Sequence, residues 1–88
     1  MEEAIRKDVL KRLNYIDGHL KGIRGMIQED KYCPEILKQT FAVRRAIEKL
    51  EALLLSGHLN HCVVEGIQEG RQEEVIAELI DLYELANR

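Results

Sequence analysis

Apolar residues recur along this chain at intervals of three and four. Ile5, Val9, Leu13, Ile16, Leu20, Ile23 and Ile27 form one stripe of an amphipathic helix. The stripe stops at Gln28-Glu29-Asp30-Lys31. Pro34 then suits the first turn of a second helix, where its missing N–H costs nothing. Ile36, Thr40, Val43, Ile47, Leu50 and Leu54 keep the spacing, and Leu59, Val63 and Ile67 resume it. The second helix is therefore long, about 30 residues and about 45 Å at 1.5 Å per residue. Gly57 costs such a helix about 1 kcal/mol relative to Ala and marks the place for a local irregularity. Gly66 and Gly70 end it. Gln72-Glu73-Glu74 open a third helix through Leu85, acidic in its first turn as the helix dipole favours. Val75, Ile76, Leu79, Ile80, Leu82 and Tyr83 are its expected buried side.

No segment reads as a strand, and no repeat or linker divides residues 1–88, so the pattern predicts an all-α fold in a single domain. The long helix cannot bury its stripe on one partner of about 35 Å and another of about 20 Å. Leu53-Leu54-Leu55 also faces most of the helix circumference. An isolated chain of 88 residues buries only about 60–65% of its unfolded surface. The expected unit is at least a dimer with a four-helix-bundle core.

Charge sharpens this picture. The formal net charge of −3 argues at first against a polyanionic partner. Residues 1–49, however, hold eleven of the thirteen Lys/Arg and eight of the sixteen acids, a balance of +3. Residues 50–88 stand at −6. Such asymmetry suggests one face for a polyanion and another kept away from it. Arg12, Lys21, Arg24, Arg44, Arg45 and Lys49 are the candidate phosphate contacts. Each is equally readable as a solvated side chain or, for Arg44 and Arg45 with Glu48, as half of an intrahelical pair. No apolar run approaches the roughly 18 residues of a membrane span, and MEEAIRKDVL lacks the apolar region of a signal peptide. A cytoplasmic protein with its two cysteines as thiols or ligands is expected.

The candidate chemistry lies in Cys33, His58 and Cys62. His58 and Cys62 are four residues apart on one helix face, a spacing that can chelate one ion. Cys33, 25 residues before His58, is about 37 Å away along the same helix. One chain cannot close the trio, but an antiparallel dimer can, giving two equivalent sites. Each would take Cys33 from one subunit and His58 and Cys62 from the other. Two thiolates and an imidazole suit Cu(I) better than a closed structural Zn site. The same spacing fits two small buried hydrophobes and an interfacial His equally well. Tyr32 and Glu78 are candidates to orient the imidazole from behind, or merely to cover a helix start and to sit in solvent. His61 would need helix distortion to serve as a fourth ligand, and His19 reads as a polar interfacial residue or one close to phosphate.

With these residues in view, the chain resembles the CsoR/RcnR-type bacterial metal-sensing repressors over essentially its whole length. The resemblance rests on Lys11-Arg12-Leu13-Asn14-Tyr15-Ile16-Asp17-Gly18-His19-Leu20-Lys21-Gly22-Ile23, on Val43-Arg44-Arg45-Ala46-Ile47 and on His58-Leu59-Asn60-His61-Cys62-Val63. The trio Cys33, His58 and Cys62 follows the pattern of the copper-sensing branch. The nickel- and cobalt-sensing members carry an added N-terminal His where this chain has Met1-Glu2-Glu3, and persulfide sensors lack the counterpart of His58. The resemblance implies a three-helix subunit, an antiparallel dimer and a dimer of dimers. It implies Cu(I) at the intersubunit trio, with Tyr32 and Glu78 behind it. It also implies operator DNA bound without metal and released with Cu(I), upstream of copper-efflux genes.

Three other readings remain at this level. One is a sensor of persulfides or of another metal (Ni, Co, Zn) on the same scaffold. Another is a thiol metallochaperone that binds no DNA, although the chain lacks a CxxC. An enzyme is the least supported, since no nucleophile–base pair or carboxylate pair is evident.

Overall fold

The computed structural model describes all 88 residues and contains only helices. Helix α1 spans Glu3–Gln28 and α2 spans Cys33–Gly57. A π-helical turn, His58–Val63, carries α2 without a break into α3, Val64–Gln68. Helix α4 spans Gln72–Ala86. The architecture is thus three rods, as the periodicity predicts. The middle rod is longer than expected, and its irregularity starts one residue after Gly57.

Local chemistry sets the two reversals. After α1, the Glu29 N–H donates to the Gly25 carbonyl (3.0 Å) and the Lys31 N–H to that of Met26 (2.9 Å). Asp30 takes φ 52°, a left-handed conformation that its short polar side chain tolerates. Pro34 stands in the first turn of α2. After α3, Gly70 takes φ 81° and the Arg71 N–H donates to the Gly66 carbonyl (2.8 Å), closing the helix with a glycine cap.

The core is a seam between α1 and α2. Val9, Ile16 and Ile23, spaced by seven, are buried against Val43 and Leu50. Ile5, Ile36, Ala46, Leu53 and Leu54 flank them, half-buried. The seven-residue spacing is what two long helices need to keep one seam in register. The body is elongated, 56 × 30 × 14 Å, and α4 packs chiefly on α3 at one end.

Three of the seven residues of the predicted α1 stripe have nothing to pack on in the single chain: Leu13, Leu20 and Ile27 are exposed. The expected buried side of α4 is corrected more strongly. Only Val75 is buried and Leu79 half-buried, whereas Ile76, Ile80, Leu82 and Tyr83 face outward. Leu37, Phe41, Leu55 and Leu59 are likewise exposed along the middle rod. These residues obey helical periodicity and have no third element in their own chain to cover them. No helix is long and apolar enough to cross a membrane.

Candidate metal centre and basic groove

Both His58 and Cys62 stand on the π-helical turn. Turns of this kind are rare within helices and gather at functional sites. Gly57 prepares the position. A Cβ there would lie 2.9 Å from Ile5 Cδ1, so only glycine lets α1 approach α2 this closely without a shift. Directly beyond the contact is a cavity of about 240 Å³ lined by Met1, Ile5, Leu54, Gly57, His58 and Cys62. The His58 ring is half-buried, and its Nε2 is a buried polar atom with no hydrogen-bond partner. Such atoms are rare and call for an explanation. Cys62 is a free, exposed thiol.

Cys33, also free and exposed, opens α2 at the far end of the rod. No three metal-binding side chains of one chain come together. Tyr32 precedes Cys33 as an exposed residue outside the helix, and Glu78 is exposed on α4. Neither reaches His58 within the chain, since Nε2 has no partner. His61 turns away from the cavity and meets Glu65 at 3.4 Å. His19 Nε2–H donates to Gln39 Oε1 at 2.7 Å, and the Tyr15 ring stands edge-on to the imidazole with centroids 5.8 Å apart. It is the interfacial histidine that the sequence suggests.

Taken as donors, two free thiols and an imidazole with an unsatisfied nitrogen form a soft set. It fits Cu(I) in chemistry and lacks the fourth ligand of a closed zinc site.

A second feature lies farther along the α1–α2 pair. A groove of about 590 Å³ is lined by Lys11, Arg12, Arg45 and Lys49, with Tyr15, Asp8, Ala42 and Ala46 among its other walls. Three of the six candidate phosphate contacts, Arg12, Arg45 and Lys49, therefore share one concavity. Lys21 and Arg24 lie farther along α1 and outside it. Arg44 sits over the Phe41 ring, 5.2 Å from its centroid. The intrahelical pairs of Arg44 and Arg45 with Glu48 do not form, whereas Arg12 Nε meets Asp8 at 3.2 Å. Sequence reasoning missed Lys11 and Tyr15. Their signal was present: Lys11 and Tyr15 are four apart, opposite the small pair Ala42 and Ala46, which leaves room between the helices.

Residues 5–84 match the model of a family described as metal-sensitive transcriptional repressor. The chain is 37% identical over 78 residues to the copper-sensing transcriptional repressor CsoR of Bacillus subtilis, covering 89% of this chain and 77% of that protein. Its fold matches the crystal structure of the copper-sensing repressor CsoR with Cu(I) from Geobacillus thermodenitrificans NG80-2. The TM-score is 0.94 at 32% identity, covering 100% of this chain and 92% of the other. The nickel-responsive transcriptional regulator InrS matches less closely, with a TM-score of 0.76 at 37% identity, covering 89% and 88%.

Proposed function

The chain belongs to the metal-sensitive transcriptional repressors, and on that premise we propose a copper(I)-responsive repressor, bound to operator DNA when metal-free and released when Cu(I) binds. It is a binding protein of the cytoplasm, where thiols stay reduced. The observation that carries this reading is His58: a buried, unpartnered Nε2 beside Cys62, on a π-helical turn at one end of a rod whose other end begins with Cys33.

The exposed stripe of that rod supplies the missing third donor. Leu37 and Leu59 stand equally far on either side of position 48, and so do Phe41 and Leu55. An antiparallel second copy centred there covers each with its counterpart. The same register brings Arg44 within one position of Glu51 of the partner subunit and Cys33 within one position of Cys62 of the partner subunit. Two equivalent sites result, each with Cys33 from one protomer and His58 and Cys62 from the other. The outward faces of α1 and α4 then remain for pairing dimers into a tetramer, and for bringing Tyr32 and Glu78 toward the imidazole.

When bound, the ion supplies a strong link between two subunits. Everything else belongs to the chain. Lys11, Arg12, Arg45 and Lys49 hold phosphates, positioning the duplex rather than reading its bases. Arg45 and Lys49 ride on the same rod as His58 and Cys62, while Lys11 and Arg12 ride on the helix that rests on Gly57. A shift at the π-helical turn therefore changes the spacing of the groove's two walls. That is a coupling free energy between two sites, about 1–3 kcal/mol in typical cases.

The test is a titration of operator DNA binding with and without one equivalent of Cu(I), Zn(II) or Ni(II). Release by Cu(I) is the expected result. Release by Ni(II) or Zn(II) alone would overturn the copper assignment, and no duplex binding at any salt would overturn the repressor.

A further inference from the structure

We infer that Asn60 is a positioning residue of the metal centre: its side-chain amide holds the rod in its π-helical turn and so sets where Cys62 stands relative to His58. The inference rests on the copper reading above and goes beyond it, since Asn60 is not itself a ligand.

The backbone shows where the winding changes. The His58 N–H donates to the Leu54 carbonyl, four residues back, as in an ordinary α-helix. Two residues beyond Leu54, the Ser56 carbonyl accepts from a side chain. Asn60 Nδ2–H donates to it at 2.8 Å and to Ser56 Oγ at 3.3 Å. Past this point the rod is π-wound, with bonds running five residues back, through His58–Val63 until α3 resumes. Helices bend or change pitch where a side chain enters the ladder of bonds, and Asn is one of the residues that competes with the backbone for a carbonyl four back. Gly57 leaves room for Ile5 and so permits the turn, but a missing Cβ selects no bonding pattern. The Asn60 amide does. The residue is exposed, and Asn is a weaker helix former than Ala, so neither burial nor propensity accounts for it at this position.

The winding decides the geometry of the ligand pair. On an α-helix, a residue four places on lies about 40° past a full turn. A turn closed five residues back holds more than four residues, so the same residue falls short of a full turn. Cys62 therefore stands on the opposite side of His58 from where an α-helix would put it. There it lines one cavity with His58, Ile5 and Leu54. A return to α-winding would carry the thiol around the rod and change its approach to the buried, unpartnered His58 Nε2.

Two substitutions test this. Asn60→Ala removes the donor at an exposed site and introduces the strongest helix former. Asn60→Ser keeps a donor, since a Ser hydroxyl also reaches the carbonyl four residues back. Couplings across the hydrogen bonds of metal-free, deuterated protein report which carbonyl each amide of the turn pairs with. A competition titration gives Cu(I) affinity, and thiolate-to-copper absorption reports binding. The unsubstituted chain and Asn60→Ser should show pairing five residues back. Asn60→Ala should show pairing four back, resist urea at least as well, and bind Cu(I) about tenfold more weakly, the scale of a residue that orients ligands. A merely structural role would instead lower stability and affinity together. Five-back pairing that persists in Asn60→Ala, unchanged Cu(I) affinity there, or an equal loss in Asn60→Ser would overturn the positioning role and leave the copper reading standing. No thiolate-to-copper absorption in the unsubstituted chain would overturn the copper reading itself, whatever the pairing.

Discussion

His19 Nε2 and Gln39 Oε1 lie 2.7 Å apart and form the side-chain hydrogen bond that ties α1 to α2 beside the buried seam. A half-buried bond of this kind contributes about 0.5–1.5 kcal/mol, and removing one partner strands the other. His19→Ala and Gln39→Ala should each lower stability by about 1 kcal/mol, and the double variant by less than their sum. Urea unfolding at one fixed protein concentration checks this, since oligomerisation makes stability concentration-dependent.

Gly66 is the second tight spot. A Cβ there would stand 2.5 Å from Val75 Cγ1, the buried anchor of α4. Gly66→Ala should cost about 1–3 kcal/mol through overpacking. Shortening the opposing side chain with Val75→Ala in the same molecule should recover part of that loss, and thermal melts of the three variants decide it.

Charge reversal tests the dimer register. Arg44→Glu or Glu51→Arg alone brings like charges together across the interface, which costs several kcal/mol. Each should weaken dimerisation by more than tenfold. The double variant restores opposite charges and should recover association, as sedimentation equilibrium would show. Recovery would not occur if Arg44 faced DNA instead.

For the basic groove, Arg45→Ala and Lys49→Ala should each reduce the slope of log binding constant against log salt by about 0.9. Arg71→Ala is the control: it lies outside the groove and is already engaged by Glu69 at 3.1 Å. An unchanged slope for both groove variants would remove the groove from the DNA interface.

His58→Ala leaves both thiols in place. Copper affinity should fall modestly, while copper-dependent release of DNA is lost to a greater degree. The comparison pairs a competition titration for the metal with DNA anisotropy at saturating Cu(I). Full release in this variant would contradict the role assigned to the turn.

The three rods were legible in the sequence because each boundary carries its own chemistry: Pro34 at one start, Gly70 at one stop, and an acidic first turn at Glu73-Glu74. The separation of Cys33 from His58 was legible from spacing alone, since a rise of 1.5 Å per residue parts them whatever the details. Burial was less so. Periodicity shows that Ile76 and Ile80 share an apolar face, but not whether the covering surface lies in the same chain. Nor does it reveal the π-helical turn, whose apolar positions Leu59 and Val63 still follow a spacing of four. Gly57 was the one hint, and its reason is a side chain 52 positions earlier, Ile5. The groove needed the pairing of two helices before Lys11 and Lys49 could be seen as neighbours.

The π-helical turn also constrains how the chain length can vary. It winds more residues into one turn than the helices on either side. Deleting one residue between His58 and Val63 would let the rod relax into unbroken α-helix while everything beyond kept its orientation, because the π-helical turn takes up about one residue more than an α-helical one. A deletion elsewhere in the middle rod would instead swing Glu78 and the outward face of α4 by about 100° around the axis, toward a different neighbour. Single-residue deletions are thus tolerable for the fold in the turn at residues 29–32, beyond Ala86 or within the π-helical turn, but in the α-helical stretches of the middle rod they would reset the orientation of the whole C-terminal arm.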